Sequence, residues 1–172
     1  MKNKKIYITQ SDLYRLREMI KKRIFGREAD RLALDEMNRL SDSDAVSSWL
    51  REARRRNDPG HEAEWTRIEE LEAELNRAVI VAPDQVAADI VTMNSKVCLK
   101  DVDTNKEESY ELVYPEDADI EQNKISILAP IGTAILGYKV GDIIEWKVPA
   151  GLRKFKIQKI LYQPEAAKEY YL

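Results

Sequence analysis

Asp89-Ile90-Val91-Thr92-Met93-Asn94-Ser95-Lys96-Val97 is the stretch whose reading decides the fold. It follows Ala82-Pro83-Asp84, where a proline ends any helix arriving from upstream. Before that point apolar residues recur every three or four positions; after it they alternate, the signature of half-buried strands. Three later segments continue the change. They are Ile125-Ser126-Ile127-Leu128-Ala129-Pro130-Ile131-Gly132, Gly141-Asp142-Ile143-Ile144-Glu145-Trp146 and Leu161-Tyr162-Gln163-Pro164-Glu165-Ala166-Ala167.

Working outward, residues 97–102 and 109–114 read as strands about a turn at Asp103-Thr104-Asn105, and Lys124 to Leu128 reads as a third. Pro130 to Gly137 predicts a short helix, opened by proline and closed by glycine. Residues 143–148 and 154–162 are expected to pair across Pro149-Ala150-Gly151. The expectation is a small antiparallel sheet with one helix, folding as an independent module from about Met93.

Upstream, residues 10–80 predict helix. Ser11 or Asp12 is the expected cap, and Leu13, Leu16, Ile20 and Ile24 follow at helical spacing. Ser41-Asp42-Ser43-Asp44 and Asn57-Asp58-Pro59-Gly60 are breaks with turn chemistry. Trp65, Ile68, Leu71, Leu75 and Ala78 form the last stripe. Such arms lack a deep core of their own and bury their stripes by packing on each other, as in an antiparallel coiled-coil hairpin. The fold class is therefore α+β: a helical arm over 1–82, a linker over 83–92, and a sheet domain over 93–172.

The 172 residues carry a net charge of −3, with 17 Lys/Arg against 16 Asp/Glu in residues 1–80 and 11 against 15 in the remainder. Neither half is a polycation, so nucleic-acid binding by bulk charge is not expected; a protein partner fits better. The single cysteine, Cys98, is expected to be a buried small hydrophobe, and no Cys/His set has zinc-ligand spacing. The N-terminus lacks the apolar stretch of a signal peptide and no run reaches spanning length, so no membrane is expected and the cytoplasm is the expected location. No nucleophile–base pair is visible, so the chain is not expected to be an enzyme acting alone.

In order and spacing, the four quoted segments resemble the C-terminal domain of the GreA/GreB transcript-cleavage factors, and within that family most closely the Rnk (regulator of nucleoside diphosphate kinase) branch. The resemblance covers roughly the last 90 residues and implies an FKBP-like sheet domain. It implies RNA polymerase as partner, with the arm inserted into the secondary channel. It also implies nascent RNA as a contact of a basic arm patch, here Arg51, Arg54, Arg55 and Arg56. Ala129-Pro130-Ile131-Gly132, with the nearby acid Asp119, matches the family's polymerase-docking region, with Ile131 expected as an exposed anchor.

Cleavage-stimulating members use two tip carboxylates to help hold a second Mg²⁺ at the polymerase active site, so any Mg²⁺ would be shared with the polymerase and none bound by the chain alone. Two segments compete for the tip. Asp42 and Asp44 lie between arms that could pair over about 45 Å. Asp58 has the better local match, because Glu52-Ala53-Arg54, Asp58 and Ala63-Glu64-Trp65 are similar to the family's tip segment. There the second acid falls on His61, with Glu62 displaced by one. Weak or absent cleavage stimulation is therefore expected. The alternative within the family is a regulator of nucleoside diphosphate kinase.

Overall fold

The computed structural model describes residues 6–25, 62–148 and 151–169. The chain divides into two units, Ser11–Arg77 and the combination of Met1–Gln10 with Ala78–Leu172. In chain order, then, the helical unit is an insertion into the sheet unit.

The helical unit contains α1 (Gln10–Phe25) and α2 (Glu62–Asn76). Leu13, Leu16, Met19 and Ile20 of α1 are buried, as are Trp65, Ile68, Leu71 and Leu75 of α2. These are the positions that helical spacing selects. Arg17 Nη2, midway along α1, donates to Asn76 Oδ1 at the end of α2 at 2.9 Å, and Arg23 near the end of α1 pairs with Glu64 near the start of α2. The two helices are therefore antiparallel, as a hairpin requires. The apolar seam dominates their association. Each buried Leu or Ile is worth about 1.5–3 kcal/mol, whereas a surface pair such as Arg23–Glu64 is worth about 0–1 kcal/mol. Helix α1 starts at Gln10, so Ser11 and Asp12 lie inside its first turn rather than capping it from outside.

The sheet unit opens with β1 (Tyr7–Thr9), which pairs in parallel with β2 (Val79–Val81). Residues 79 and 80 were expected to be helical. The last helix instead stops at Asn76, and the β-branched Val79-Ile80-Val81 finds a partner 72 positions earlier, Tyr7 facing Val79. The five-stranded sheet has the order β5-β4-β3-β7-β6, with β3 (Lys96–Asp101), β4 (Glu107–Val113), β5 (Lys124–Ser126), β6 (Ile143–Val148) and β7 (Gly151–Tyr162). All its pairings are antiparallel except β4–β5, which is parallel, so the sheet is mixed. Helix α3 (Pro130–Ile135) packs against β5 and β6.

The boundary of the sheet unit also differs from that read in the sequence. Residues 89–92, expected within a linker, are built into it. Val91 N donates to Tyr138 O and Gly137 N to Val91 O, while Ile90 bridges Lys139. Ile6 belongs to the same unit and is buried. Gly137 has φ +73°, and a Cβ there would lie 2.5 Å from the Ile6 Cβ. Glycine is thus required both by the left-handed turn after α3 and by the close approach of the N-terminal segment.

Candidate functional site

Of the residues expected to act at the arm tip, Asp42, Asp44, Asp58, His61, Arg51, Arg54, Arg55 and Arg56 lie outside the described residues. Glu62 is the first residue of α2. Among the described residues no group of three or more His, Cys, Asp or Glu is placed to hold a metal ion. What is described of the arm is its base. There Glu72 is 1% exposed, and Arg17 Nη2 stands 3.7 Å from its Oε1. Burial pushes the Glu72 carboxyl above its ordinary value, and the charges of Arg17 and Lys21 only partly oppose that.

The segment Ala129–Gly132 divides between surface and core. Ala129 N–H donates to Ser126 O at 2.9 Å, and its own carbonyl accepts Thr133 N–H at 3.0 Å, which starts α3. Thr133 Oγ1 donates to Ile127 O at 2.6 Å and secures the turn from the other side. Pro130 occupies the first helical position, where its missing N–H costs nothing, and is exposed. Ile131 is 5% exposed. This corrects the expectation of an exposed anchor, because position 131 lies on the covered side of the first turn of α3. Gly132 is also buried, and a Cβ on it would sit 2.1 Å from Ser126 O. Ala129 and Pro130 are therefore what this segment leaves accessible, while Ile131 is buried and Gly132 lets α3 approach Ser126 of β5 closely.

Asp119 serves the backbone. Its N–H donates to Lys124 O and its carbonyl accepts from Lys124 N, at 3.0 and 2.8 Å. Its Oδ1 accepts from Glu121 N at 2.9 Å, and its Oδ2 from the Gln122 side-chain amide at 2.7 Å. The carboxylate is thus committed to closing the turn it begins. That turn displays Ile120, which is 89% exposed. Sequence reasoning missed this residue. The available signal was one apolar side chain isolated among Asp119, Glu121, Gln122 and Asn123.

The segments that carry the family resemblance converge for architectural reasons. Gln163 Nε2 donates to Ile90 O at 2.7 Å and to Ala87 O at 3.1 Å. Thr92 Oγ1 donates to Glu165 Oε2 at 2.7 Å and lies 2.9 Å from Ser95 Oγ. Asn94, at φ 59°, turns the chain into β3. These polar side chains tie the segment after β7 to the segment before β3, so their spacing records a fold rather than a chemistry. Cys98 is buried, and burial raises its thiol above the ordinary value.

Comparison with known proteins agrees with this geometry. The family described as "Transcription elongation factor, GreA/GreB, C-term" matches residues 85–162. The regulator of nucleoside diphosphate kinase of Escherichia coli (strain K12) is 39% identical over 103 residues, 59% of this chain and 76% of that protein. Transcription elongation factor GreA of Thermodesulfovibrio yellowstonii is 32% identical over 142 residues, 75% of this chain and 90% of that protein. Among solved structures, the prokaryotic transcription elongation factor GreA/GreB from Nitrosomonas europaea superposes with a TM-score of 0.60 at 32% identity. That match covers 93% of this chain and all of that one.

Proposed function

Because the chain belongs to the GreA/GreB family of transcription elongation factors, we propose that it binds RNA polymerase through its sheet unit and places its helical arm in the secondary channel. The observation that carries this reading is the extent of the likeness. The 142-residue match to a GreA reaches well upstream of residues 85–162, and the antiparallel α1–α2 pair supplies the base of an arm. Transcript cleavage is the polymerase's own reaction, and the factor's part is to bring carboxylates to its metal. With His61 where the second acid is expected, the chain's contribution to that step is weak or absent, and occupation of the channel is its main effect. Contact of Arg51, Arg54, Arg55 and Arg56 with nascent RNA belongs to the same proposal.

A second reading, favoured by the 39% identity to the Escherichia coli regulator, is modulation of nucleoside diphosphate kinase. Pull-down with the purified chain separates the two. Retention of core RNA polymerase, but not of the kinase, is expected. Retention of the kinase alone would replace the first reading with the second.

A further inference from the structure

We propose that Ile120, at the tip of the Asp119–Lys124 turn, is the apolar anchor with which the sheet unit seats in a protein hollow rimmed by Lys or Arg. This rests on the polymerase-binding reading and names the chemistry of the surface that is met. Single exposed apolar residues are common and by themselves mean little. Ile120 differs in three respects. It is 89% exposed, against 58% for Leu152 and 51% for Ile80. It is also held in place before binding. Asp119 and Lys124 exchange backbone hydrogen bonds, Asn123 N donates to Ile120 O at 3.1 Å, and the Asp119 carboxylate accepts from two residues beyond it. A side chain presented on a fixed turn loses little entropy when it docks.

The third respect is charge. Residues 115–124 hold four acids, Glu116, Asp117, Asp119 and Glu121, against one base, Lys124. Glu116, Asp117 and Glu121 are exposed, whereas Asp119 is occupied by the turn. An apolar knob on an acidic, exposed stretch of chain complements an apolar hollow with a basic rim. It is repelled by nucleic-acid phosphates, which makes the partner a protein surface. Anchors of this kind, well packed and desolvated at the centre of a contact, carry most of the affinity of an interface.

The test is titration of the full chain against core RNA polymerase at low and moderate salt, with Ile120→Ser compared with Leu152→Ser. Thermal unfolding of each variant checks that the fold is retained, which exposure of both side chains favours. Ile120→Ser is expected to weaken binding about tenfold or more, with Leu152→Ser close to the parent chain. Glu116→Gln with Asp117→Asn is expected to flatten the salt dependence. If the parent chain binds and Ile120→Ser binds equally well, the anchor is overturned while polymerase binding stands. Equal losses from Ile120→Ser and Leu152→Ser would also overturn it. If the parent chain does not bind, the docking reading falls and the anchor with it.

Discussion

At the scale of single residues, Gly132 and Glu72 make opposite predictions about obvious substitutions. Alanine is the better helix former than glycine by about 1 kcal/mol, so Gly132→Ala looks favourable from the sequence of α3. The Cβ would meet Ser126 O at 2.1 Å, a backbone atom that cannot swing away. Overpacking of this kind costs about 1–3 kcal/mol, and the clash is expected to win: urea unfolding should show a net loss. Glu72 behaves in the other sense. Its folded carboxyl is raised above the ordinary 4.5 by burial, so the folded state favours the protonated form. Its contribution is fully present below the unfolded value and is lost as pH rises through the folded one. Glu72→Gln, which keeps the shape without the buried charge, should raise the melting temperature at pH 7 and give little or no gain at pH 4. A gain at both pH values would mean that desolvation of the charge is not the cause.

At the scale of elements, β1 is the piece whose importance its sequence understates. Three residues pairing with three others form a marginal sheet by themselves. Ile6, just before β1, and Ile8 within it are each 1% exposed, and Ile6 packs on Gly137 next to α3. The sheet unit therefore depends on residues that precede the helical insertion. Ile6→Ala is expected to cost about 2–5 kcal/mol. The loss should appear as faster amide exchange in β3 and β7, far along the chain from the substitution. If only the residues next to position 6 exchange faster, β1 is a peripheral strap and the unit stands without it. The same reasoning predicts that a fragment of residues 88–172, which a boundary near Met93 would suggest, melts below the sheet unit of the full chain.

At the scale of the whole molecule, the family and the departure from it both bear on what the chain does to polymerase. Two carboxylates must approach one metal for the cleavage chemistry, and each carboxylate withdrawn costs tenfold or more, on the order of 1.4 kcal/mol. On the proposed tip at Asp58, His61 stands where the second acid is expected, which leaves half of such a pair. Backtracked elongation complexes are expected to show little added cleavage with this chain, and reduced cleavage when it competes with a cleavage-competent GreA. Cleavage at GreA-like rates would refute this. Asp44→Asn and Asp58→Asn would then show which break forms the tip.

Much of this was legible in the residues. The helical stripe Leu13, Leu16, Ile20 and the alternation after Pro83 are local patterns, fixed by 3.6- and 2-residue periods, and they appear as α1 and the sheet. So do the turn at Asp103-Thr104-Asn105 and the proline-opened, glycine-closed α3. The four segments that reveal the family could be recognised because their hydrogen bonds, such as Gln163 to Ile90 O and Thr92 to Glu165, demand those side chains at those positions. What the sequence by itself determined, then, was the order and kind of most elements and the family they belong to. Only the tertiary structure decided that Ile131 is buried while Ile120 faces solvent, that residues 79–81 leave the helix to pair with β1, and that residues 89–92 join the sheet unit. The physical reason is that periodicity is set by neighbours along the chain. Burial is set by whichever element covers a face, and here the covering element stands tens of residues away.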